Sequence, residues 1–225
     1  MSIPQTIKDC VFPVFCLDCG KEGEWLCGDC FGRLDLRGVF CCPVCHKENK
    51  FCCDVCRPQS YLDRAKAIAV YQEENSVGRL IKTLKYSYAE DVLEVFAKMI
   101  DGFLRYHLGV LSEIDLIVPV PLHRRRLAER GFNQAWLLAD ILGRKIGRPV
   151  ADLLKRDRYT LQQAKLSREE RQTNVRQAFV NNNFQADNIL LVDDVFTTGA
   201  TMQECARVLK SSGVKSVIGF SVARG

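Results

Sequence analysis

Two adjacent acids and a turn of small residues near the C-terminus carry the clearest chemical pattern in this sequence. Asp193 and Asp194 follow an aliphatic run, and a turn with three threonine hydroxyls comes two residues later, before an apolar helical pattern. Backbone N–H groups at a helix start, backed by the helix dipole, bind phosphate, and threonine hydroxyls add donors. A phosphate site is therefore predicted in this threonine turn, at Thr197, Thr198, Gly199, Ala200 and Thr201.

The two acids narrow the class of ligand. Asp193 and Asp194 would repel a bare phosphate, but carboxylates accept hydrogen bonds from neutral hydroxyls. A ligand with a phosphate at one end and sugar hydroxyls at the other satisfies both requirements. An acidic strand end before a glycine turn also occurs in phospho-acceptor domains and as ordinary turn chemistry. The full pattern over 189–201 favours the sugar phosphate.

A strand and a helix must position these groups. Four aliphatic residues, 189–192, predict a buried strand of a parallel sheet that ends at Asp193. The next apolar pattern predicts a helix from Ala200 to Ser212, which ends near Gly213. Ligands of open α/β sheets collect at the carboxyl ends of the strands, so the threonine turn lies where a ligand is expected.

The stretch 189–201 resembles the ribose-5-phosphate signature of the type I phosphoribosyltransferases, in which an aliphatic strand, two acids and a threonine–glycine loop follow one another. The resemblance implies an α/β fold with a parallel sheet flanked by helices. It also implies that Asp193 and Asp194 hold the ribose hydroxyls of phosphoribosyl pyrophosphate (PRPP), that the threonine turn wraps its 5-phosphate, and that magnesium accompanies it. Thr197 stands where purine-salvage members carry another Asp, so we do not expect salvage of 6-oxopurines.

Cysteine pairs dominate the N-terminal quarter of the chain. Eleven of the twelve cysteines lie before Arg57, and eight of them form four Cys-x-x-Cys turns. Two such turns supply the four thiolates of a tetrahedral structural zinc site. Seven residues separate the first and second turns, and seven separate the third and fourth, so two local sites are the simplest pairing; a cross-braced pairing stays open. The predicted ligands are Cys16, Cys19, Cys27, Cys30, Cys42, Cys45, Cys53 and Cys56.

We expect one or two structural zinc ions, because this region has few large aliphatic residues and could hardly fold without metal. A disulfide or redox cluster is the alternative, and the lack of a recognisable secretion signal argues against it. The spare candidate ligands are Cys10, Cys41, Cys52 and His46. The predicted organisation is a zinc module at 1–60 and a phosphoribosyltransferase-like domain at 61–225.

Basic residues concentrate between Leu122 and Arg176, where 14 Lys and Arg stand against 6 Asp and Glu. In isolation, an arginine run is often only a solvated face. Here the run from Arg124 to Arg126 follows an apolar segment that predicts a strand ending at Pro119. That position at the sheet edge indicates a role in binding an anion. The resemblance to the phosphoribosyltransferases implies that a pyrophosphate loop lies here.

Residues 118–134 and a later polar series resemble the ComF/GntX family, and with the cysteine turns the similarity covers nearly the whole chain. The family is linked to competence and DNA uptake, or to use of external nutrients. The polar segment 155–176 resembles the mobile loop that closes over PRPP in this fold. The alternative is that this segment is an exposed linker or a charged helix. The implied PRPP contacts are Val120, Pro121 and Leu122 for the pyrophosphate, and Arg168 and Arg171 on a loop that closes over the ligand. The later series is Arg156, Thr160, Gln163, Leu166, Arg168, Arg171, Asn174 and Phe179.

Further apolar patterns complete the predicted α/β domain. The predicted strands are Ala65 to Tyr71, 177–184 and 215–222; the predicted helices are 77–86, 91–106 and one that carries Trp136. No apolar run approaches the ~20 residues needed to span a bilayer. We therefore expect a cytoplasmic protein without membrane insertion.

Two functions are compatible with these patterns. In the first, the protein is an enzyme in which a nucleophile displaces pyrophosphate from the anomeric carbon of PRPP; no residue identifies the acceptor or a catalytic base. In the second, a non-catalytic module senses PRPP or a nucleotide and binds single-stranded DNA or a competence helicase through its zinc module and basic segment. Phe132, Trp136 and Tyr159 could then stack on bases.

Overall fold

Four parallel strands and one antiparallel strand form a five-stranded sheet in the computed structural model, which describes residues 13–49, 51–86, 91–156 and 186–225. The strands are β1 (Val39–Cys41), β2 (Arg64–Val70), β3 (Leu116–Pro119), β4 (Asn188–Phe196) and β5 (Ser216–Arg224). Their order is β1-β2-β5-β4-β3, and only the pairing of β1 with β2 is antiparallel. The parallel α/β fold class is confirmed.

Helices cover both faces of this sheet. They are α1 (Gly28–Phe31), α2 (Ser76–Tyr86), α3 (Val92–His107), α4 (Arg124–Arg130), α5 (Gln134–Ile146) and α6 (Ala200–Ser211). Leu190 and Val192 of β4 belong to the core that also contains α2, α3 and α5, whereas Ile189 and Leu191 pack in a second core with Cys205 of α6. Because successive strand residues point to opposite faces, burial on both faces explains why this run is entirely apolar.

Two elements differ from the sequence-based expectation. The expected end of β4 at Asp193 is wrong, since the strand continues to Phe196 through parallel pairing of Val195 with Ala223 of β5. Two acids do not end a strand whose neighbour continues to supply backbone partners. The arginine run also forms a helix, α4, which ends at Gly131 in the left-handed conformation.

The cysteine-rich segment is continuous with the sheet. Phe40 of β1 lies opposite Lys66 of β2, and the N–H of Cys52 donates to the carbonyl oxygen of Asp63 at 2.9 Å. Backbone pairing therefore crosses the expected division between 1–60 and 61–225. The division into a zinc module at 1–60 and a domain at 61–225 stays a prediction.

Most other predicted elements are present with shifts of one or two residues. The helix predicted at 77–86 begins at Ser76, and the strand predicted from Ala65 to Tyr71 is β2. The predicted strand at 177–184 lies outside the described residues, and so does the predicted closing loop after Arg156. Arg168, Arg171 and Tyr159 fall within that undescribed part of the chain.

Candidate sugar-phosphate site and metal centres

The threonine turn joins β4 to α6 and starts the helix with a left-handed glycine. Gly199 has φ 72° and is the N-cap residue of α6. A side chain here would be strained by this backbone conformation. A Cβ atom would also lie 2.6 Å from the Phe196 ring and 3.3 Å from the carbonyl oxygen of Pro43. Glycine is therefore required both by conformation and by packing.

The other residues of the threonine turn surround this glycine. Thr197 and Thr198 are exposed, and Ala200 and Thr201 are half-buried in the first turn of α6. The nitrogen of Ala200 lies 3.5 Å from Oγ1 of Thr198. The N–H groups in the first turn of a helix have no partner within the helix and attract anions. The predicted phosphate-binding groups thus lie together at one helix terminus.

The two acids occupy different environments although they are adjacent in β4. Asp194 is buried, forms an ion pair with Lys85 of α2, and accepts a hydrogen bond from Nε2 of Gln134 at 3.4 Å. Asp193 is partly exposed, and its Oδ1 accepts the backbone N–H of Asp194 at 2.8 Å. Only one of the two carboxylates is therefore bound by side chains of the α2 and α5 layer.

The pKa values of the acid pair move in opposite directions. Although the residue keeps some exposed surface, loss of hydration around its carboxyl group raises the pKa of Asp193 well above its usual range, and the neighbouring charge of Asp194 adds to this shift. Burial alone would also raise the pKa of Asp194, but the ammonium of Lys85 holds it below the usual value. The pair thus favours an ionised Asp194 and a more readily protonated Asp193.

This geometry favours Asp193 over Asp194 as the direct partner of a ribose hydroxyl. The role predicted for both acids stays a prediction, and Asp194 would first have to exchange Lys85 for the ligand. Sequence analysis missed Lys85 because a lysine in the last turn of an amphipathic helix resembles an ordinary C-terminal cation. Its contact with Asp194 spans more than a hundred residues of sequence, and no local pattern indicates it.

The segment predicted to bind pyrophosphate lies beside β4 at the same sheet edge. The N–H of Val120 donates to the carbonyl oxygen of Val192 at 2.8 Å, and its carbonyl oxygen accepts from Nδ2 of Asn133 at 3.0 Å. Pro121 has no N–H group. Of the three predicted residues, Leu122 is therefore the candidate backbone donor to pyrophosphate.

A second basic residue, which belongs to the stretch 118–134 that resembles the ComF/GntX family, lies close to the acid pair. Arg130 ends α4 and donates to Oε1 of Gln134 at 3.1 Å, while its guanidinium lies 5.3 Å from the ring centre of Tyr86. Because Gln134 also contacts Asp194, an arginine, an amide and a carboxylate form one chain of contacts. The arginine-rich segment thus reaches the acid pair through the start of α5.

The eight predicted thiolates form two groups. Cluster 1 contains Cys16, Cys19, Cys27 and Cys30, and cluster 2 contains Cys42, Cys45, Cys53 and Cys56. Within each cluster all four Sγ atoms lie within 4.8 Å of one another. Measured Sγ–Sγ distances include 3.6 Å for Cys19 with Cys27 and 3.7 Å for Cys42 with Cys53. A tetrahedral zinc site with Zn–S bonds of about 2.3 Å places its sulfurs about 3.8 Å apart, so both clusters fit zinc.

The cysteine turns pair locally: the first turn with the second, and the third with the fourth. The cross-braced alternative does not occur, and all eleven cysteines among the described residues are free thiols. Cys41 and Cys52 are buried beside cluster 2, with Sγ of Cys52 3.9 Å from Sγ of Cys42, but neither belongs to either group of four. Each cluster is closed by four protein ligands, as expected for a structural site.

Comparison with known proteins shows the family. A model of the phosphoribosyl transferase domain matches residues 132–224, which include both acids and the threonine turn. Competence protein ComFC of Bacillus subtilis is 28% identical over 214 residues, covering 91% of this chain and 86% of that protein. DNA utilization protein YhgH of Escherichia coli K12 is 30% identical over 205 residues, covering 87% of this chain and 88% of that protein. The chain belongs to the ComF family.

A further ComF-family relative matches a shorter stretch. Competence protein F of Haemophilus influenzae is 37% identical over 115 residues, which are 49% of this chain and 50% of that protein. The names of these relatives refer to competence and to DNA utilization. Within the part of this ComF-family chain that the structure describes, no helix has the length and hydrophobicity to cross a bilayer.

A cavity of about 570 Å³ lies next to the predicted pyrophosphate segment of this ComF-family protein. Pro121 and Leu122 line it on one side, and Phe132 and Trp136 contribute aromatic surface. Its cationic lining residues are Arg124, Lys155 and Arg156. Planar aromatic rings beside cations are suited to nucleobases or nucleotides.

Proposed function

We propose that this protein binds PRPP, or a closely related sugar phosphate, together with magnesium at the carboxyl edge of its sheet. The observation that carries the proposal is the unit formed by β4, the threonine turn and α6. There, the partly exposed Asp193 lies in the last part of β4, and the left-handed Gly199 caps the helix that follows. The biological setting that we propose is DNA uptake or DNA use in the cytoplasm, where reduced thiols persist.

Each part of PRPP has a partner of matching chemistry. The threonine turn takes the 5-phosphate, Asp193 takes the ribose hydroxyls, and the N–H of Leu122 takes pyrophosphate. Lys85 keeps Asp194 ionised next to Asp193. The carboxylate of Asp193, once ionised by ligand binding, would stabilise positive charge on the ribose ring. Arg168 and Arg171 are still predicted to close over the pyrophosphate.

If turnover occurs, the bond between the anomeric carbon and pyrophosphate breaks while a bond from the acceptor forms at the same carbon. Bound magnesium would neutralise the charge that develops on the leaving pyrophosphate. Magnesium prefers oxygen ligands and substrate phosphates, so the partly exposed Asp193 fits this ion better than Asp194, which is paired with Lys85. No described residue marks the acceptor, so the acceptor and the catalytic base stay unassigned.

The cavity at Trp136 favours a second candidate function. In this alternative the protein is a non-catalytic module that senses PRPP or a nucleotide and binds single-stranded DNA or a helicase partner. Trp136 is 38% exposed, a large fraction for a tryptophan, and Arg124 and Lys155 line the same cavity. Base stacking on an aromatic ring beside cations is the usual mode of binding to single strands.

Isothermal titration of PRPP in magnesium buffer tests the proposed site. Asp193→Asn should weaken binding by about tenfold, because the ribose hydroxyls lose a carboxylate acceptor that ligand binding would ionise. Asp187→Asn is the matched control, since Asp187 lies before the opposite end of β4 and pairs with the exposed Lys215. Equal affinities of wild type and Asp193→Asn would remove the ribose assignment.

Turnover and DNA binding separate the two candidate functions. Pyrophosphate release with any member of a panel of nucleobases supports an enzyme, whereas PRPP binding without release supports a sensing module. Single-stranded DNA affinity should fall steeply from low to physiological salt if Arg124 and Lys155 contact phosphates. A flat salt response would contradict backbone contacts by this basic surface.

A further inference from the structure

Cluster 2 is packed directly against the threonine turn. The carbonyl oxygen of Pro43, between the ligands Cys42 and Cys45, closes one side of Gly199, where it would lie 3.3 Å from a Cβ atom. The ring of His46, the residue after Cys45, lies 5.7 Å from the ring of Phe196, which ends β4. The first cysteine turn of cluster 2 thus touches the phosphate-binding backbone.

A second set of contacts ties the segment after cluster 2 to the first turns of α6. The side chain of Gln203 accepts the N–H of Tyr61 at 2.8 Å and donates to Oγ of Ser60 at 2.9 Å. A cavity of about 340 Å³ lies between the two parts, with Pro43 and Tyr61 among its lining residues on one side and Thr198 on the other. The helix that should bind phosphate is therefore held by the metal-binding segment at its first turns.

The strand beside β4 provides a third link. Nη2 of Arg224, at the end of β5, donates to the carbonyl oxygen of His46 at 2.6 Å. The N–H of Gly225 donates to the carbonyl oxygen of Phe196 at 3.0 Å. His46 has φ 63°, a conformation that few residues other than glycine adopt, so its backbone is held by surrounding contacts. Cluster 2, the end of β5 and the threonine turn form one connected unit.

We propose that cluster 2 positions the threonine turn, so that metal binding at Cys42, Cys45, Cys53 and Cys56 controls the affinity for the sugar phosphate. This inference rests on the proposed function of the turn. Four thiolates fixed by one ion hold the turn that carries Pro43 and His46 in place. Without the ion, Pro43 and His46 no longer hold Gly199 and Phe196, and the first-turn amides of α6 lose their common orientation.

Two matched cysteine variants test this positioning role. Cys45→Ser removes a ligand of cluster 2, and Cys19→Ser removes the equivalent exposed ligand of cluster 1. Zinc content is counted for each protein, and titration then measures the affinity for ribose 5-phosphate and PRPP. We expect Cys45→Ser to weaken binding by about tenfold, within the usual range of coupling between two sites. The loss in Cys19→Ser should stay below about threefold.

A variant that keeps all eight cysteine ligands separates a local effect on the threonine turn from general unfolding. His46→Asn removes the ring from Phe196 but retains the carbonyl oxygen that Arg224 binds, and asparagine tolerates the left-handed backbone. It should keep both zinc ions and weaken sugar-phosphate binding by about threefold. Unchanged affinity in a folded Cys45→Ser protein that has lost its zinc, together with unchanged affinity in His46→Asn, would overturn the inference.

The amide resonance of Gly199 separates failure of this inference from failure of the proposed function. In NMR spectra without ligand, the resonance should shift in Cys45→Ser and His46→Asn and move much less in Cys19→Ser. If wild type binds no sugar phosphate although these shifts occur, the proposed function is wrong and the positioning role stands. If wild type binds PRPP but the Gly199 resonance does not move in His46→Asn, the positioning role is wrong.

Discussion

The two cysteine clusters share their ligand spacing but contact different parts of the molecule. Cluster 1 lies against α2: Nη1 of Arg79 donates to the carbonyl oxygen of Leu17 at 2.7 Å, and Oγ of Ser76 donates to Oδ1 of Asp18 at 2.9 Å. Leu26, Cys27 and Cys30 also join the core that contains α2 and α3. Cluster 2 instead contacts the sheet and the threonine turn.

The same cysteine spacing therefore occurs in two clusters that pack against different parts of the candidate sugar-phosphate site. Cluster 1 lies against α2, the helix whose last turn places Lys85 beside Asp194. Cluster 2 lies against Gly199, in the turn that we propose binds phosphate. The spacing of the cysteines indicates zinc in both cases, and the neighbours packed against each cluster differ.

Removal of zinc from both clusters should have the largest effect, because each organises a segment with few apolar residues. A chelator that extracts two zinc ions per chain should abolish the near-ultraviolet circular dichroism of the N-terminal region and lower the melting temperature. Binding energies of structural zinc reach about 10 kcal/mol or more in small domains. An unchanged melting temperature after complete extraction would contradict a structural role for both clusters.

Asp194→Asn should be the most damaging single change among the acids, because it leaves Lys85 without its charged partner in a site where the lysine side chain is only 23% exposed. Loss of one partner of a buried pair costs about 3 kcal/mol, and the partial exposure of Lys85 reduces this to about 2 kcal/mol. Urea unfolding at pH 7 measures the loss. Asp187→Asn, which breaks an exposed pair, should cost less than about 1 kcal/mol. Equal losses in the two variants would contradict the special role of Asp194.

Arg79→Ala tests whether contacts of cluster 1 affect stability without affecting the affinity for PRPP. It removes a hydrogen bond between α2 and the first cysteine turn, and we expect a loss of about 1 kcal/mol of stability. Affinity for PRPP should change by less than about twofold, since Arg79 touches neither Gly199 nor Asp193. Arg37→Ala is the surface control, because Arg37 forms an exposed ion pair with its near neighbour Asp35. A larger affinity loss in Arg79→Ala than in His46→Asn would reverse the assignment of the clusters.

The smallest effect concerns the pH dependence of Asp193. Its pKa in the folded protein is raised, so the folded state retains this proton more strongly than the unfolded state. The stability that this provides is present at pH values below about 4, the unfolded pKa, and is lost as pH rises through the folded pKa. Asp193→Asn should therefore be more stable than wild type at pH 7 and similar to it near pH 3.5. A stability difference that grows as pH falls would contradict the raised pKa.

Local sequence predicts the elements that depend on neighbouring residues. The aliphatic run before Asp193 predicts β4, the apolar pattern after the threonine turn predicts α6, and equal spacing favours the local pairing of the cysteines. Each of these signals lies within about fifteen residues of chain, a distance over which turn chemistry and periodicity operate.

Long-range contacts account for what the sequence could not predict. The pairing of Lys85 with Asp194, the position of Pro43 against Gly199 and the continuation of β4 to Phe196 all depend on residues far apart in the chain. No spacing rule connects such residues, because tertiary packing alone brings them together. The opposite pKa shifts of Asp193 and Asp194 likewise depend on the groups around each carboxyl.

A crystal structure of the zinc-loaded protein with ribose 5-phosphate tests the central claim most directly. The account predicts density for the phosphate within hydrogen-bond distance of the backbone N–H groups of the threonine turn, with ribose hydroxyls at the carboxylate of Asp193. Density for the sugar phosphate elsewhere, with the turn empty at saturating ligand, would contradict it.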